Sequence, residues 1–293
     1  MKFATLDGRA VLIGGSADTA TALDIATASD GRFGPDPMDL FAEWADVVDW
    51  AATVDPTADG TPISQTALGR PVPAPRQVFA IGLNYRTHAE ESGMDIPSVP
   101  ATFTKFPASL AGPHDDIEIV GNAVDWEVEL VAVIGATADR VDRADAWDHI
   151  AGLTVGQDIS DRKLQFAAGM QFSLGKSRRG YGPMGPWLVT PDEFDDPNDL
   201  GLGCRLDGET VQDARTSDLI FSIPDLVAEL SSVLPLWPGD VIFTGTPSGV
   251  GMARDPRRSL QPGQVLETWV EGIGTMTNRC VGPASDAPAG AAS

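Results

Sequence analysis

The sequence predicts an α+β fold that is mainly β. A small N-terminal α/β domain is expected over residues 1–70, a larger strand-rich body over 71–282, and a flexible tail over 283–293. Three observations carry that expectation. Two Asp-Gly pairs, Asp7-Gly8 and Asp207-Gly208, stand between short runs of strand-forming residues, a strong hairpin signal. After residue 76, apolar runs bounded by glycine or proline recur, among them VFAIGLNY, DWEVELVAVIG and DVIFTG. Between the two regions, Pro56, Pro62, Pro71, Pro73 and Pro75 crowd a stretch that reads as a linker.

Taken in order, KFATL-DG-RAVLI is the first hairpin. Ser16 then precedes an alanine-rich stretch to Ser29 that predicts a helix, and MDLFAEWADVVDWAA predicts a second, with Leu40, Trp44, Val47 and Val48 on one face. In the body, the best-signalled helix begins at Ser222. The serine caps, Pro224 occupies the first turn, Asp225 answers three residues on, and Leu226, Leu230 and Leu234 follow. The chain ends in GPASDAPAGAAS, small and polar, which reads as frayed.

Composition narrows the function. Forty-two acidic side chains against twenty basic ones give 293 residues a formal charge of −22. Duplex DNA and anionic membranes are therefore disfavoured partners, since each would meet a like-charged surface. A hydrophobic fraction of 42% is too high for a disordered acidic chain. Cys204 and Cys280 lack zinc or redox spacing and imply no disulfide framework. No signal-peptide pattern or membrane-length apolar run occurs, so a soluble cytoplasmic protein is expected. Only Lys2, Lys105, Lys163 and Lys176 are lysines. A chain that otherwise uses arginine can keep lysine where a compact ammonium is needed; drift in base composition is the better account of the set as a whole, and a weaker one for any lysine inside a motif.

Four segments hold candidate chemistry. In Asp125-Trp126-Glu127-Val128-Glu129-Leu130, a strand's alternation puts Glu127 and Glu129 on one face and Trp126, Val128 and Leu130 on the other. Two such carboxylates either share a divalent cation or line a hydrated face. Asp158 ends the apolar run GLTVGQD and can face the same pocket. It is followed by Arg162, Gln165 and Gly175-Lys176-Ser177. That tripeptide is not a phosphate loop, because Met170 stands where the motif requires glycine, and no G-x-G-x-x-G joins a strand to a helix. His88 and Glu91, three apart in GLNYRTHAEE, are neighbours on a helical turn. They form either a surface pair or a carboxylate-oriented general base. Finally, Thr244-Gly245-Thr246-Pro247-Ser248-Gly249 is a glycine-rich turn after a strand, able to offer N–H groups and the Thr246 hydroxyl to an anion.

The order and wording of these pieces resemble the fumarylacetoacetate hydrolase superfamily, specifically its bacterial acylpyruvase-like group of 2-oxo acid hydrolases and decarboxylases. The matching runs are GLNYRTHAEE, FTKF around Lys105, DWEVELVAVIG, GLTVGQDISDRKLQ, FSLGKS, GPMGPWLVT, TSDLIFSIPDLVAELS and PGDVIFTGTPSGVG. The resemblance implies a catalytic fold of curved, mixed β-sheets. It also implies Glu127, Glu129 and Asp158 as ligands of Mg2+ or Mn2+, which agrees with the oxygen preference of a hard ion. By the same resemblance His88, Glu91 and Lys176 are catalytic, and Arg162, Gln165 and Thr246 bind substrate. The implied reaction is cleavage of an acylpyruvate-type 2,4-dioxo acid, with His88, oriented by Glu91, activating the attacking water. Decarboxylation of an oxaloacetate-type acid, isomerisation or hydration of a 2-oxo-alkenoic diacid, and a non-catalytic metal-binding role are the alternatives. A homodimer is also implied. One departure stands out: Lys163 follows Arg162 where many members have Asp.

Overall fold

The strand Val128–Ile134 is buried at every position, as its sequence VELVAVI suits for a strand covered on both faces. Its side chains divide by parity. Val128, Leu130, Ala132 and Ile134 join one hydrophobic cluster, while Val131 and Val133 join the other. It pairs antiparallel with Ile150–Gln157 and with Val241–Phe243. Gly156, opposite Glu129, has no room for a side chain, because a Cβ would run into Val131 and Phe243.

These strands form the centre of a large mixed sheet. Its order is Thr61–Pro62, Thr21–Asp24, Arg9–Gly14, Lys2–Leu6, Gly182–Val189, Ile150–Gln157, Val128–Ile134, Val241–Phe243, Val78–Gly82 and Ala101–Thr104. A second sheet runs Glu209–Arg215, Gly201–Leu206, Val265–Val270, Gly274–Val281 and Ile117–Glu118. Residues of this second sheet, including Leu202, Leu206, Leu266 and Met276, share a cluster with Leu130 and Leu153. On the opposite face, Phe41, Trp44 and Val47 pack with Phe3, Val131 and Phe243. The architecture is therefore mainly β and mixed, as expected from the sequence. The computed structural model describes residues 1–16, 19–93 and 95–283, so nearly all of the 283–293 tail lies outside the described residues.

Both Asp-Gly hairpins form, joining Lys2–Leu6 to Arg9–Gly14 and Gly201–Leu206 to Glu209–Arg215. Each turn has positive φ at both central residues, 50° and 76° at Asp7-Gly8 and 52° and 82° at Asp207-Gly208, the type I′ requirement. The helix Ile223–Val233 has the expected capping box between Ser222 and Asp225.

Elsewhere local signals lost to tertiary pairing. The alanine-rich stretch expected to be one helix to Ser29 has residues 17 and 18 outside the described residues; among those described it is a strand at Thr21–Asp24, paired with Arg9–Gly14, and only Ile25–Ala28 is helical. The Arg9–Asp24 ion pair at 2.7 Å fixes that edge. The second predicted helix is split into Pro37–Phe41 and Trp44–Ala51. The break lets the rings of Phe41 and Trp44 stack at 5.1 Å while both meet Phe3 edge-on. The proline-rich stretch is packed rather than loose: Leu68–Gly69 pairs with Thr5 and Leu6, and Leu68 and Val72 are buried. The N-terminal strands continue the sheet of the body, with Lys2 opposite Val189 and Phe3 opposite Leu188. Among the described residues, no helix is long and apolar enough to cross a membrane.

Candidate metal centre and active site

The segment 125–135 is not one strand. Val124–Asp125 pairs with Ser160–Asp161, and the ladder resumes at Val128. In the gap, the Trp126 N–H is satisfied by its neighbour Asp125 and the Glu127 N–H by the Gln157 side chain at 2.9 Å, in place of strand partners. Glu127 and Glu129 still point together, because Trp126, Val128 and Leu130 are all drawn into the cluster on the opposite face. Asp158 follows the last residue of Ile150–Gln157, and its N–H bonds the Glu127 carbonyl at 2.9 Å. One oxygen from each of Glu127, Glu129 and Asp158 lies within 4.8 Å of the others, and all three residues are buried.

Two buried lysines and a partly buried arginine answer them. The Lys176 ammonium bridges Glu127 at 2.7 Å and Asp158 at 2.6 Å. Arg162 grips Asp125 and Glu127, each at 2.7 Å, and donates to Gln165 at 3.0 Å. Lys105 is wholly buried and donates to Asp158 at 2.7 Å and to the Lys176 carbonyl. Four carboxylates (Asp125, Glu127, Glu129, Asp158) against three cations (Lys105, Arg162, Lys176) leave one uncompensated negative charge.

That excess is a formal one and falls on Glu129, whose surroundings favour the neutral carboxyl unless a cation shares the site. Its one side-chain hydrogen bond among the described residues comes from the Gly245 N–H at 2.8 Å, and burial and the charges of Asp158 and Glu127 raise its pKa well above the usual carboxylate range. Burial alone would also raise Glu127, but Lys176 and Arg162 hold it below that range. For Lys176, burial is outweighed by Asp158 and Glu127, so its pKa is raised, whereas burial dominates for Lys105 and lowers it. Three convergent carboxylates, no thiol and a surplus negative charge fit a hard divalent cation, which would change the cluster from net −1 to net +1.

The loop after Val241–Phe243 closes the other side. Gly245 has φ of +104°, and a Cβ there would meet Asn84, so only glycine can aim this N–H at Glu129. Thr246 is buried and accepts from the Gln212 side chain at 2.8 Å. The Gly249 N–H reaches the Glu91 carboxylate at 3.1 Å, and Glu91 stands 3.3 Å from His88 Nδ1 on the short helix Arg86–Ser92. Burial pushes the Glu91 carboxyl up, but the His88 hydrogen bond and the Gly249 N–H hold it below its ordinary value. The helix and the glycine-rich turn, distant in sequence, are thus tied together through one carboxylate.

A cavity of about 480 Å³ is lined by His88, Glu91, Glu127, Arg162, Gln165, Lys176 and Thr246, which brings seven of the nine predicted site residues to one space. Glu129 and Asp158 lie against it through Glu127 and Lys176. Sequence reasoning gave no role to three further features. Lys105 was visible only as a scarce lysine in a matching run. Asp125, which the sequence reads into one strand with Glu127 and gives no function, lies on the separate strand Val124–Asp125 and anchors Arg162. The aromatic wall of Phe103, Phe166 and Phe172, with ring centroids 5.8 and 5.6 Å apart, had no local signal at all.

The profile described as fumarylacetoacetate (FAA) hydrolase C-terminal matches residues 77–281, the span that carries every group above. The chain belongs to the fumarylacetoacetate hydrolase family. Among relatives in this family, the mitochondrial oxaloacetate tautomerase Fahd2a of Rattus norvegicus is 40% identical over 222 residues, 75% of this chain and 71% of that one. A provisionally named HpcE protein from Mycobacterium smegmatis superposes with a TM-score of 0.91 at 49% identity, covering 97% of this chain and all of the other. Maleylpyruvate hydrolase from Sphingobium sp. SYK-6, solved with manganese(II) and pyruvate, superposes with a TM-score of 0.76 at 27% identity, covering 96% and 99%. The family thus includes both hydrolases and proton-transfer enzymes, and one structural relative holds a divalent metal.

Proposed function

We propose that this protein is a Mg2+- or Mn2+-dependent hydrolase that splits the C3–C4 bond of an acylpyruvate-type 2,4-dioxo acid. The products are a pyruvate-type acid and a carboxylic acid. The observation that carries this reading is the convergence of the Glu127, Glu129 and Asp158 carboxylates and the His88–Glu91 pair on one cavity. Held by the three carboxylates, the ion would act as a Lewis acid on the 2-oxo acid end of the substrate.

The chain's own groups supply the rest. Glu91 holds His88 through Nδ1, which leaves Nε2 to take a proton from water as hydroxide adds to C4. The C3–C4 electron pair then passes to C3, giving the pyruvate enolate, and the proton held on His88 returns to that carbon. Lys176 places its ammonium against the negative charge that develops on the enolate. Arg162, steadied by Gln165, fixes Glu127, the two form the polar floor, and the Thr246 hydroxyl borders the substrate.

Glu127→Gln, assayed on acylpyruvates with saturating Mg2+, should reduce kcat/KM by at least about 100-fold. Full activity in that variant would overturn the assignment. The tautomerase relative favours a second reading in which His88 transfers protons without attack by water. Product identity across a panel of acylpyruvates and oxaloacetate separates the readings. Pyruvate with a carboxylic acid means hydrolysis, pyruvate with CO2 means decarboxylation, and keto–enol exchange without cleavage means tautomerisation.

A further inference from the structure

A second recess of about 370 Å³ adjoins the reaction cavity, and the two share walls made by Arg162, Phe166, Met252 and Arg257. The recess carries four cations, Arg162, Lys163, Arg257 and Arg258, and one carboxylate, Asp125. Asp125 is fully engaged by Arg162 at 2.7 Å and by the N–H groups of Gly251 and Met252. Arg258 pairs with Glu209 at 2.7 Å. Lys163 and Arg257 have no ion-pair or hydrogen-bond partner among the described residues, and both are exposed. In a chain with twenty basic residues against forty-two acidic ones, this is a local reversal of sign at the edge of the site.

We propose that the recess is a second anion subsite, where Arg257 and Lys163 receive the carboxylate at the far end of a dicarboxylic 2-oxo acid. The proposal rests on the reading that a 2-oxo acid is bound at the metal centre, and it adds residues that select long dianionic substrates over monoanionic ones. Phe166 and Met252 lie on the shared wall and offer apolar contact to the stem between the two acid groups. Arg257 presents a planar fork suited to a carboxylate, and Lys163 adds a point charge. Both side chains are exposed and can keep much of their water in the contact, so little desolvation opposes it.

The test uses a matched, unreactive pair, 2-oxohexanedioate and 2-oxohexanoate, titrated calorimetrically into the Mg2+-saturated protein. Wild type should bind the diacid about tenfold more tightly, in keeping with a charge-assisted contact. R257Q and K163Q should each cut that ratio severalfold, and the double variant should bring it to about one, with Tm held. Equal affinities in the wild type, no binding of either acid, or a ratio that survives in the double variant would overturn the subsite. Turnover of acylpyruvates is scored separately. A ratio that collapses as expected without C–C cleavage would refute the hydrolase reading and keep the subsite, and cleavage with no diacid preference would do the reverse.

Discussion

Two of the four lysines in the chain, Lys105 and Lys176, lie side by side in the buried cluster. The scarcity of lysine was therefore a real signal, but its meaning was not local. Lys105 meets Asp158 across 53 residues of sequence, and Arg162 meets Asp125 across 37. Strand alternation made Glu127 and Glu129 legible as a pair, and no spacing rule says which distant cation will be folded against them. Because Lys105 is fully enclosed, losing its ammonium leaves Asp158 with Lys176 as its one cationic partner among the described residues and takes the buried donor from the Lys176 carbonyl. Lys105→Met should lower the unfolding free energy by about 3–5 kcal/mol, read from urea titrations of metal-free protein. A loss below about 1 kcal/mol would show that the remaining groups relax to share the charge.

Elements were legible where their determinants lie within a few residues. The helix Ile223–Val233 announces itself through Ser222, Pro224 and Asp225, and the two hairpins through Asp-Gly. Thr21–Asp24 was misread as helix because its stabilising partner, Arg9–Gly14, outweighs alanine's intrinsic preference. The segment 125–135 was read as one strand because the side chains that interrupt it, Asp125 and Gln157, satisfy the backbone in ways no pattern of hydrophobicity records. Ser222→Ala removes the cap of a helix that contributes no residue to the reaction cavity. It should cost about 1 kcal/mol of stability in urea titrations and leave kcat/KM within twofold.

At the level of the whole molecule, a charge of −22 and a cluster with one surplus negative charge answer cations in different ways. Any salt screens the general self-repulsion, but only a divalent ion can complete the carboxylate set. Millimolar Mg2+ or Mn2+ should therefore raise Tm beyond the effect of NaCl at matched ionic strength. At about 100 times Kd, the site contributes about 2.7 kcal/mol by mass action. EDTA should reverse the gain, and Glu129→Gln should shrink it. Identical shifts with NaCl and Mg2+ would mean that the cluster holds no ion.

The pairing of Lys2 with Val189 also bears on how the molecule assembles during synthesis. The hairpin Lys2–Gly14 leaves the ribosome long before Gly182–Val189, and although Leu68–Gly69 can cover Thr5 and Leu6, the Lys2–Phe3 end of that edge stays open until the late strand emerges. The same late strand flanks Ile150–Gln157, whose end carries Asp158. The nascent chain thus cannot lock its acidic pocket until most of its length has been translated, so the capacity to capture a cation is among the last properties the protein acquires.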